Sequence, residues 1–322
     1  MLRTPLCDRV GIDAPVIQAG MSVYTSPELV TAVSNAGGLG SLGAWRRPVD
    51  DLEAALVAIR DGTDRPFAVN HVVPDLDDAG VALTLSASPA VISFALDDPG
   101  ELVERAHDAG SLVMHQVTTV TQAREAAARG VDIIVAQGGE AGGYGGSVAA
   151  LPLVPQVVDA VSPVPVVAAG GISDGRGVAA ALALGASGVN VGSRFLASRE
   201  APIPQGWKEA IVAAPSEAFV PIEFLNEVSP VPGAVGYGTR VRARRSAFVD
   251  KWERRRDEIA RSPDQVLAEM GAAMGANRMH ELLASAGQSA GLVRAVVPAA
   301  EIVRSLVDEA EQALRKAGKL VS

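Results

Sequence analysis

The chain has 322 residues, 48% hydrophobic and 20% charged, with a formal charge of −9. That length asks for one large barrel or two domains, and the near-average composition excludes a disordered, collagenous or disulfide-stapled chain. A lone cysteine, Cys7, excludes an intrachain disulfide and a thiol metal cluster; the apolar runs fall short of the roughly 18–20 residues of a membrane span; and the negative charge argues against a nucleic-acid partner.

Eight short aliphatic runs are predicted as strands: 16–19, 39–42, 67–70, 91–94, 112–115, 133–137, 164–168 and 189–191. Amphipathic stretches lie between them. The stretch 26–36 opens Ser-Pro-Glu, a cap followed by proline. Those at 119–129 and 174–184 end at Gly130 and Gly185, where a left-handed cap is wanted. With 33 glycines and only 4% aromatics, the interior must be aliphatic, as in parallel strands covered on both faces. Eight such units in about 200 residues fit a closed (β/α)8 TIM barrel better than an open sheet, and no Gly-x-Gly-x-x-Gly follows the first strand. Residues 201–294 change texture and are read as a smaller helical cap inserted after strand eight, with a long loop at 228–238. The barrel then comprises 1–200 and 295–322, closed by a helix over 298–316. Residues 239–261 hold nine Lys/Arg against four Asp/Glu, a solvated helix or a patch for an anionic tail or partner.

In such a barrel the site lies at the C-terminal ends of the strands. Strand seven ends in Gly170-Gly171 before a helix whose start offers free N–H groups, and strand eight ends in Gly192-Ser193. Together these form a phosphate site. Six glycines in 138–146 demand a flat ligand or another backbone close by, with Gln137, Glu140 and Tyr144 as polar contacts. Gly20 and Met21 end the first strand. Asn70 and His71 end the third, and His115 lies near the end of the fifth, beside Gln116. A lone histidine is more often a packing residue than a catalyst, and no histidine pair has metal-ligand spacing, so no metal site is expected. Phosphate clamp, glycine slot and amides imply a planar cofactor bearing phosphate. FMN is the natural candidate, and a sugar phosphate is also compatible.

Several stretches resemble the nitronate monooxygenase family: Pro15-Val-Ile-Gln-Ala-Gly-Met21, Pro66-Phe-Ala-Val-Asn70, Gln137-Gly-Gly-Glu-Ala-Gly-Gly143, Ala168-Ala-Gly-Gly-Ile-Ser-Asp-Gly-Arg-Gly177 and Gly188-Val-Asn-Val-Gly-Ser-Arg-Phe195. The stretch Ala286-Gly-Gln-Ser-Ala-Gly-Leu-Val293 matches more loosely. The resemblance implies an FMN-binding TIM barrel. It places the cofactor against Ala19, Gly20, Met21, Asn70, Gln137, Gly142, Gly143, Gly170, Gly171, Asn190, Val191, Gly192 and Ser193.

Family members of the nitronate type oxidise alkyl nitronates with O2 and need no nicotinamide, and others reduce quinones or enoyl thioesters. Two positions depart from the pattern. Tyr144 stands where the family usually has a histidine, and Gly20 replaces a common proline, which should loosen the first-strand turn. A phenol with pKa near 10 is a poor base and a usable donor. Tyr144, His115 and His71 are therefore the catalytic candidates. The leading expectation is an FMN-dependent nitronate monooxygenase, cytoplasmic, acting on a small anion with O2. An NAD(P)H-dependent FMN reductase of quinones or enoyl thioesters is the enzymatic alternative, and a non-catalytic flavin protein the third reading. A homodimer is compatible with either.

Overall fold

Runs of valine, isoleucine and alanine covered on both faces become parallel strands, and all eight expected runs do so. The computed structural model describes residues 2–229, 231 and 238–321. Its barrel strands are β1 (Val16–Gln18), β2 (Gly40–Gly43), β3 (Phe67–Val72), β4 (Val91–Ala95), β5 (Leu112–Val117) and β6 (Ile133–Gln137). After β7 (Gly143–Gly145), which belongs to another sheet, β8 (Val166–Ala169) and β9 (Gly188–Val191) complete the eight. All pair in parallel, in the order β1-β9-β8-β6-β5-β4-β3-β2.

The junction between β1 and β2 closes the ring and is built differently. Gln18 N–H donates to Leu39 O at 2.9 Å, and Leu39 N–H to Val16 O at 2.9 Å. Beyond them the Gln18 side chain replaces the ladder. Its Oε1 accepts from Ser41 N–H at 3.0 Å, and its Nε2 donates to Ser41 O at 3.1 Å.

Side chains alternate between the interior and the helix layer. Ile17, Leu39, Ala68, Val91, Met114, Val135 and Val167 fill the lower interior as one buried cluster, plugged below by Leu6, Cys7 and Val10 of the helix Pro5–Val10. The outer helices are fixed at their ends as their sequences demand. Ser26 accepts from Leu29 N–H, Thr119 and Gln122 form a reciprocal cap, and Gly130 and Gly185 take φ of 87° and 93°. The last helix, Ala299–Gly318, closes the outer ring against Gly175–Ala183. The two approach so closely that a Cβ on Gly175 would lie 2.3 Å from Ala310 N.

The segment after β9 is not purely helical. It contributes β10 (Phe219–Ile222) and β11 (Arg240–Arg244), which join β7 in a three-stranded antiparallel sheet ordered β10-β11-β7. Val241 sits opposite Tyr144. This segment is therefore sewn to the glycine-rich loop after β6. Its helices include Ala247–Glu253, Arg256–Arg261 and Asp264–Gly275. Phe224, Phe248, Trp252, Ile259 and Val266 form a core of their own. Most of the loop expected at 228–238 lies outside the described residues.

Candidate active site

One pleat above the aliphatic interior, the same alternation brings polar side chains to the mouth. Ser41 follows Leu39, Asn70 follows Ala68, Ser93 follows Val91, Gln116 follows Met114, Gln137 follows Val135 and Asn190 follows Gly188. They meet between neighbouring strands. Asn70 Nδ2 donates to Ser93 Oγ at 2.6 Å, and Gln116 Nε2 to Gln137 Oε1 at 3.2 Å. Two atoms of this layer, Ser41 Oγ and Asn190 Oδ1, are buried with no hydrogen-bond partner. A buried polar atom without a partner costs about 1–3 kcal/mol, so this layer is built to be completed by something polar seated on it.

The backbone where a phosphate would approach is packed at Gly170, where a Cβ would lie 2.9 Å from Gly138 O, and open at Gly171. Gly170 and Gly171 both take left-handed φ, 91° and 75°. A Cβ on Gly171 would meet nothing nearer than the Glu140 side chain, at 3.8 Å. Ser193 Oγ accepts from Gly287 N–H at 2.7 Å, which leaves its own proton to donate. Gly192 precedes it, and the Met21 sulfur lies 3.6 Å from where a Gly192 Cβ would stand. Val191 points its side chain into the buried outer layer and offers only its carbonyl, which accepts from Ala19 N–H at 2.9 Å.

The expected free N–H groups at the start of the following helix are not free. Asp174 accepts from Arg176 and Gly177 N–H at 3.0 and 3.2 Å, and Glu309 from Gly175 N–H at 2.9 Å. Two carboxylates already cap that end, so those N–H groups are not available to an anion.

Gly20 is not a loosened turn. A Cβ there would fall 2.4 Å from Asn70 Cβ, so the missing side chain is what lets Asn70 stand at the centre of the mouth. Gly142 is likewise occupied on its open side, with Gly287 N 2.6 Å from where its Cβ would be. The dense glycines after β6 thus serve a close approach of two backbones. Gly143 is exposed on β7 with φ 67°, away from the polar layer. Glu140 accepts from Ala150 N–H through both carboxylate oxygens, at 3.1 and 3.0 Å, and so caps the helix Ala150–Val161.

The two histidines expected near the mouth face the other way. His71, Phe94 and His115 are register partners across β3, β4 and β5 and share one face. On that face His71 Nε2 meets Thr84 Oγ1 at 2.9 Å, in the surrounding helix Asp78–Ala87, and His115 Nδ1 meets Phe94 O at 3.1 Å. Both are buried, and burial pulls each imidazole down to about 4. Neither reaches the mouth as a base, which corrects their candidacy; adjacent residues on a strand cannot both point inward, and Asn70 holds the inward place.

Tyr144 does reach the rim. Its ring meets Trp45 edge to face, with centroids 6.3 Å apart, and it packs with Val72, Ala95, Leu96 and Val231 over the ends of β3 and β4. Burial raises its pKa, and the charge of Arg46 opposes that rise. The phenol is neutral and protonated at pH 7. Leu96 and Asp97, just past β4, both have positive φ, 60° and 127°, a costly conformation for non-glycine residues that tends to gather at functional sites.

Sequence reasoning missed Ser41, Ser93, Trp45, Arg46 and Leu96. The first two could have been found by stepping two residues from each interior aliphatic. Among the described residues no group of three or more His, Cys, Asp or Glu gathers to hold a metal, and no helix is long and apolar enough to cross a membrane.

The family model described as nitronate monooxygenase matches residues 3–81 and 76–309. Among relatives, a protein of Mycobacterium tuberculosis named (3aS,4S,5R,7aS)-5-hydroxy-7a-methyl-1-oxo-octahydro-1H-indene-4-carboxyl-CoA dehydrogenase is 43% identical over 217 residues. That match covers 66% of this chain and 61% of the relative. A probable nitronate monooxygenase of Staphylococcus saprophyticus is 32% identical, covering 82% of this chain and 84% of its own. Among solved structures, FabK from Thermotoga maritima superposes with a TM-score of 0.89 at 31% identity over all of both chains.

Proposed function

Because the chain belongs to the nitronate monooxygenase family, we propose that it is an FMN-dependent oxidoreductase that oxidises alkyl nitronates with O2. The observation that carries this reading is the proton state of the rim. The titratable side chain among its apolar residues is a phenol held neutral by burial, and both barrel imidazoles face the helix layer. A nitronate arrives already deprotonated and needs a hydrogen-bond donor, which Tyr144 is; a neutral nitroalkane needs a base, and the carboxylate bonded to the rim's Trp45, Asp75, is held by Trp45 Nε1–H at 2.7 Å and by Arg46.

The residues present fit FMN. Ser41 Oγ and Asn190 Oδ1 are the unmatched polar atoms a heterocycle edge would complete, with Asn70 and Gln137 beside them. Met21 would cover part of one face. Gly170, Gly171, Gly192 and Ser193 would hold the phosphate. FMN bound there supplies the exchange of electrons with substrate and O2, while Tyr144 orients the substrate anion and Trp45, Val72 and Leu96 exclude water from it.

A second reading is an NAD(P)H-dependent reductase of quinones or enoyl thioesters. The packing of Tyr144 on Val72, Ala95 and Leu96 favours it, since a phenol can also protonate a carbon product, and so does the Mycobacterium tuberculosis relative named for a carboxyl-CoA substrate. One pair of assays separates the two. Oxygen uptake with propionate 3-nitronate under air, with no nicotinamide added, supports the first. Bleaching of the flavin by NADH or NADPH without oxygen, with no nitronate-dependent uptake, replaces it with the second. Silence in both leaves a flavin carrier and sinks the enzymatic proposal.

A further inference from the structure

The sheet that carries Tyr144 has a second face, and it is basic. Arg240 and Arg242 alternate along β11, so both project opposite to Val241 and Ala243, which pack into the core beneath. Their register partners are Gly145 for Arg240, and Gly143 and Pro221 for Arg242. None of these carries a long side chain. The space left over is a cavity of about 330 Å³ lined by Arg240, Arg242, Gln288, Ser147, Glu140 and glycine backbone.

The lining holds two guanidiniums and one carboxylate. That carboxylate, Glu140, acts on Arg242 by its charge, and both its oxygens accept from Ala150 N–H. Arg242 is fixed by donating to Phe219 O at 2.8 Å and Gly139 O at 2.7 Å, while its Nε is buried with no partner. Arg240 contacts Glu223 through Nε at 3.1 Å, which leaves the end of its guanidinium fork for a ligand. Two guanidiniums, a carboxamide and a hydroxyl around one cavity suit phosphate oxygens, which pair with arginine through charge-assisted bonds. The cavity borders the phosphate turns without including them: Glu140 lies against Gly171, and Gln288 follows Gly287, which donates to Ser193 Oγ.

We propose that this cavity binds the phosphorylated ADP end of a long substrate or reductant. The reacting end would lie beside Tyr144, on the opposite face of the same three-residue strand. The proposal rests on the flavin reading only for what happens at that reacting end. Two ligands share the required chemistry: the 3′-phosphorylated ADP of an acyl-coenzyme A and the 2′-phosphorylated ADP of NADPH.

The test uses tails that have no reacting end. Adenosine 3′,5′-bisphosphate and adenosine 2′,5′-bisphosphate are titrated calorimetrically into the flavin-loaded protein. The expected result is saturable binding of one of them, weakened about tenfold or more by Arg240→Gln. Arg242→Lys, which keeps the charge but loses the fork, should also weaken it. Arg245→Gln, whose arginine pairs with Asp250 and does not line the cavity, should bind as the native protein does. Preference for the 3′ isomer assigns an acyl-coenzyme A, and preference for the 2′ isomer assigns NADPH. Saturable binding of neither, or binding indifferent to both Arg240→Gln and Arg242→Lys, overturns the site. Flavin content of the same preparations is read independently, so a colourless protein would fail the flavin reading without deciding this one.

Discussion

Gly142 and Gly287 lie backbone against backbone: a Cβ on Gly142 would fall 2.6 Å from Gly287 N, and one on Gly287 would fall 2.7 Å from Gly142 N. The contact joins the loop after β6 to residues 286–288. Gln288 N–H also donates to Glu140 O at 2.9 Å, and Gly287 N–H to Ser193 Oγ. A methyl at Gly142 would push this segment off Ser193. Gly142→Ala should cost about 1–3 kcal/mol as overpacking and release flavin, read as a lower Tm and a lower flavin-to-protein absorbance ratio. An unchanged ratio would show that the two backbones do not set the phosphate turn.

Asn190 offers a sharper test of the cofactor. Its Oδ1 has no partner in the protein, so Asn190→Ala removes an interaction that only a ligand could make. Flavin affinity should fall about tenfold, while the stability of the flavin-free protein holds or rises. Equal losses in loaded and flavin-free protein would mean that the amide serves the fold alone.

Tyr144→Phe keeps the ring against Trp45 and removes the hydroxyl. Turnover should drop roughly tenfold to a hundredfold with flavin content intact. Tyr144→His restores the imidazole the family usually carries there, and should extend oxidation from nitronates to neutral nitroalkanes. Unaltered turnover in the Phe variant would remove the phenol from catalysis.

His71 and His115 set a pH dependence of stability and none of catalysis. Their folded pKa of about 4 lies below the ordinary value of 6.5. Between those values the unfolded chain binds more protons, so stability is complete above pH 6.5 and is lost as pH falls towards 4. Each imidazole contributes on the order of 3 kcal/mol over that window. Urea midpoints from pH 7 to 4 should show this fall, and His71→Gln should flatten it. A kcat profile with an inflection removed by His71→Gln would contradict the outward placement of that ring.

Much of the barrel was legible because its signal is local. Aliphatic runs such as Ile133-Ile-Val-Ala and Val164-Pro-Val-Val-Ala-Ala, each followed by an amphipathic stretch, admit few other architectures. The glycine turns at the strand ends were legible from the paired residues Gly170-Gly171. Orientation was harder. Asn70 and His71 were both placed at the mouth, although strand alternation allows only one inward, and the pattern Ala68-Val-Asn already pointed to Asn70. The sheet of β7, β10 and β11 was missed because Gly143-Tyr-Gly reads as loop and Pro221 interrupts β10. Its one local cue was the alternation Arg240-Val-Arg-Ala-Arg, read instead as part of a charged stretch. That Gly142 is needed by Gly287, 145 positions away, could not be seen without the fold.

The Gln18 carboxamide that stitches β1 to β2 gives the ring a weakest stave. Elsewhere neighbouring staves are nailed by main chain, which no substitution short of proline removes; here two of the nails belong to one side chain. Spontaneous loosening should begin there, beside Met21 and Ser41, and amide protons of β2 should exchange with solvent before those of β5. A prosthetic group wedged against Met21 and Ser41 would act as a hoop, so the lifetime of the closed ring and the retention of its occupant would rise and fall together.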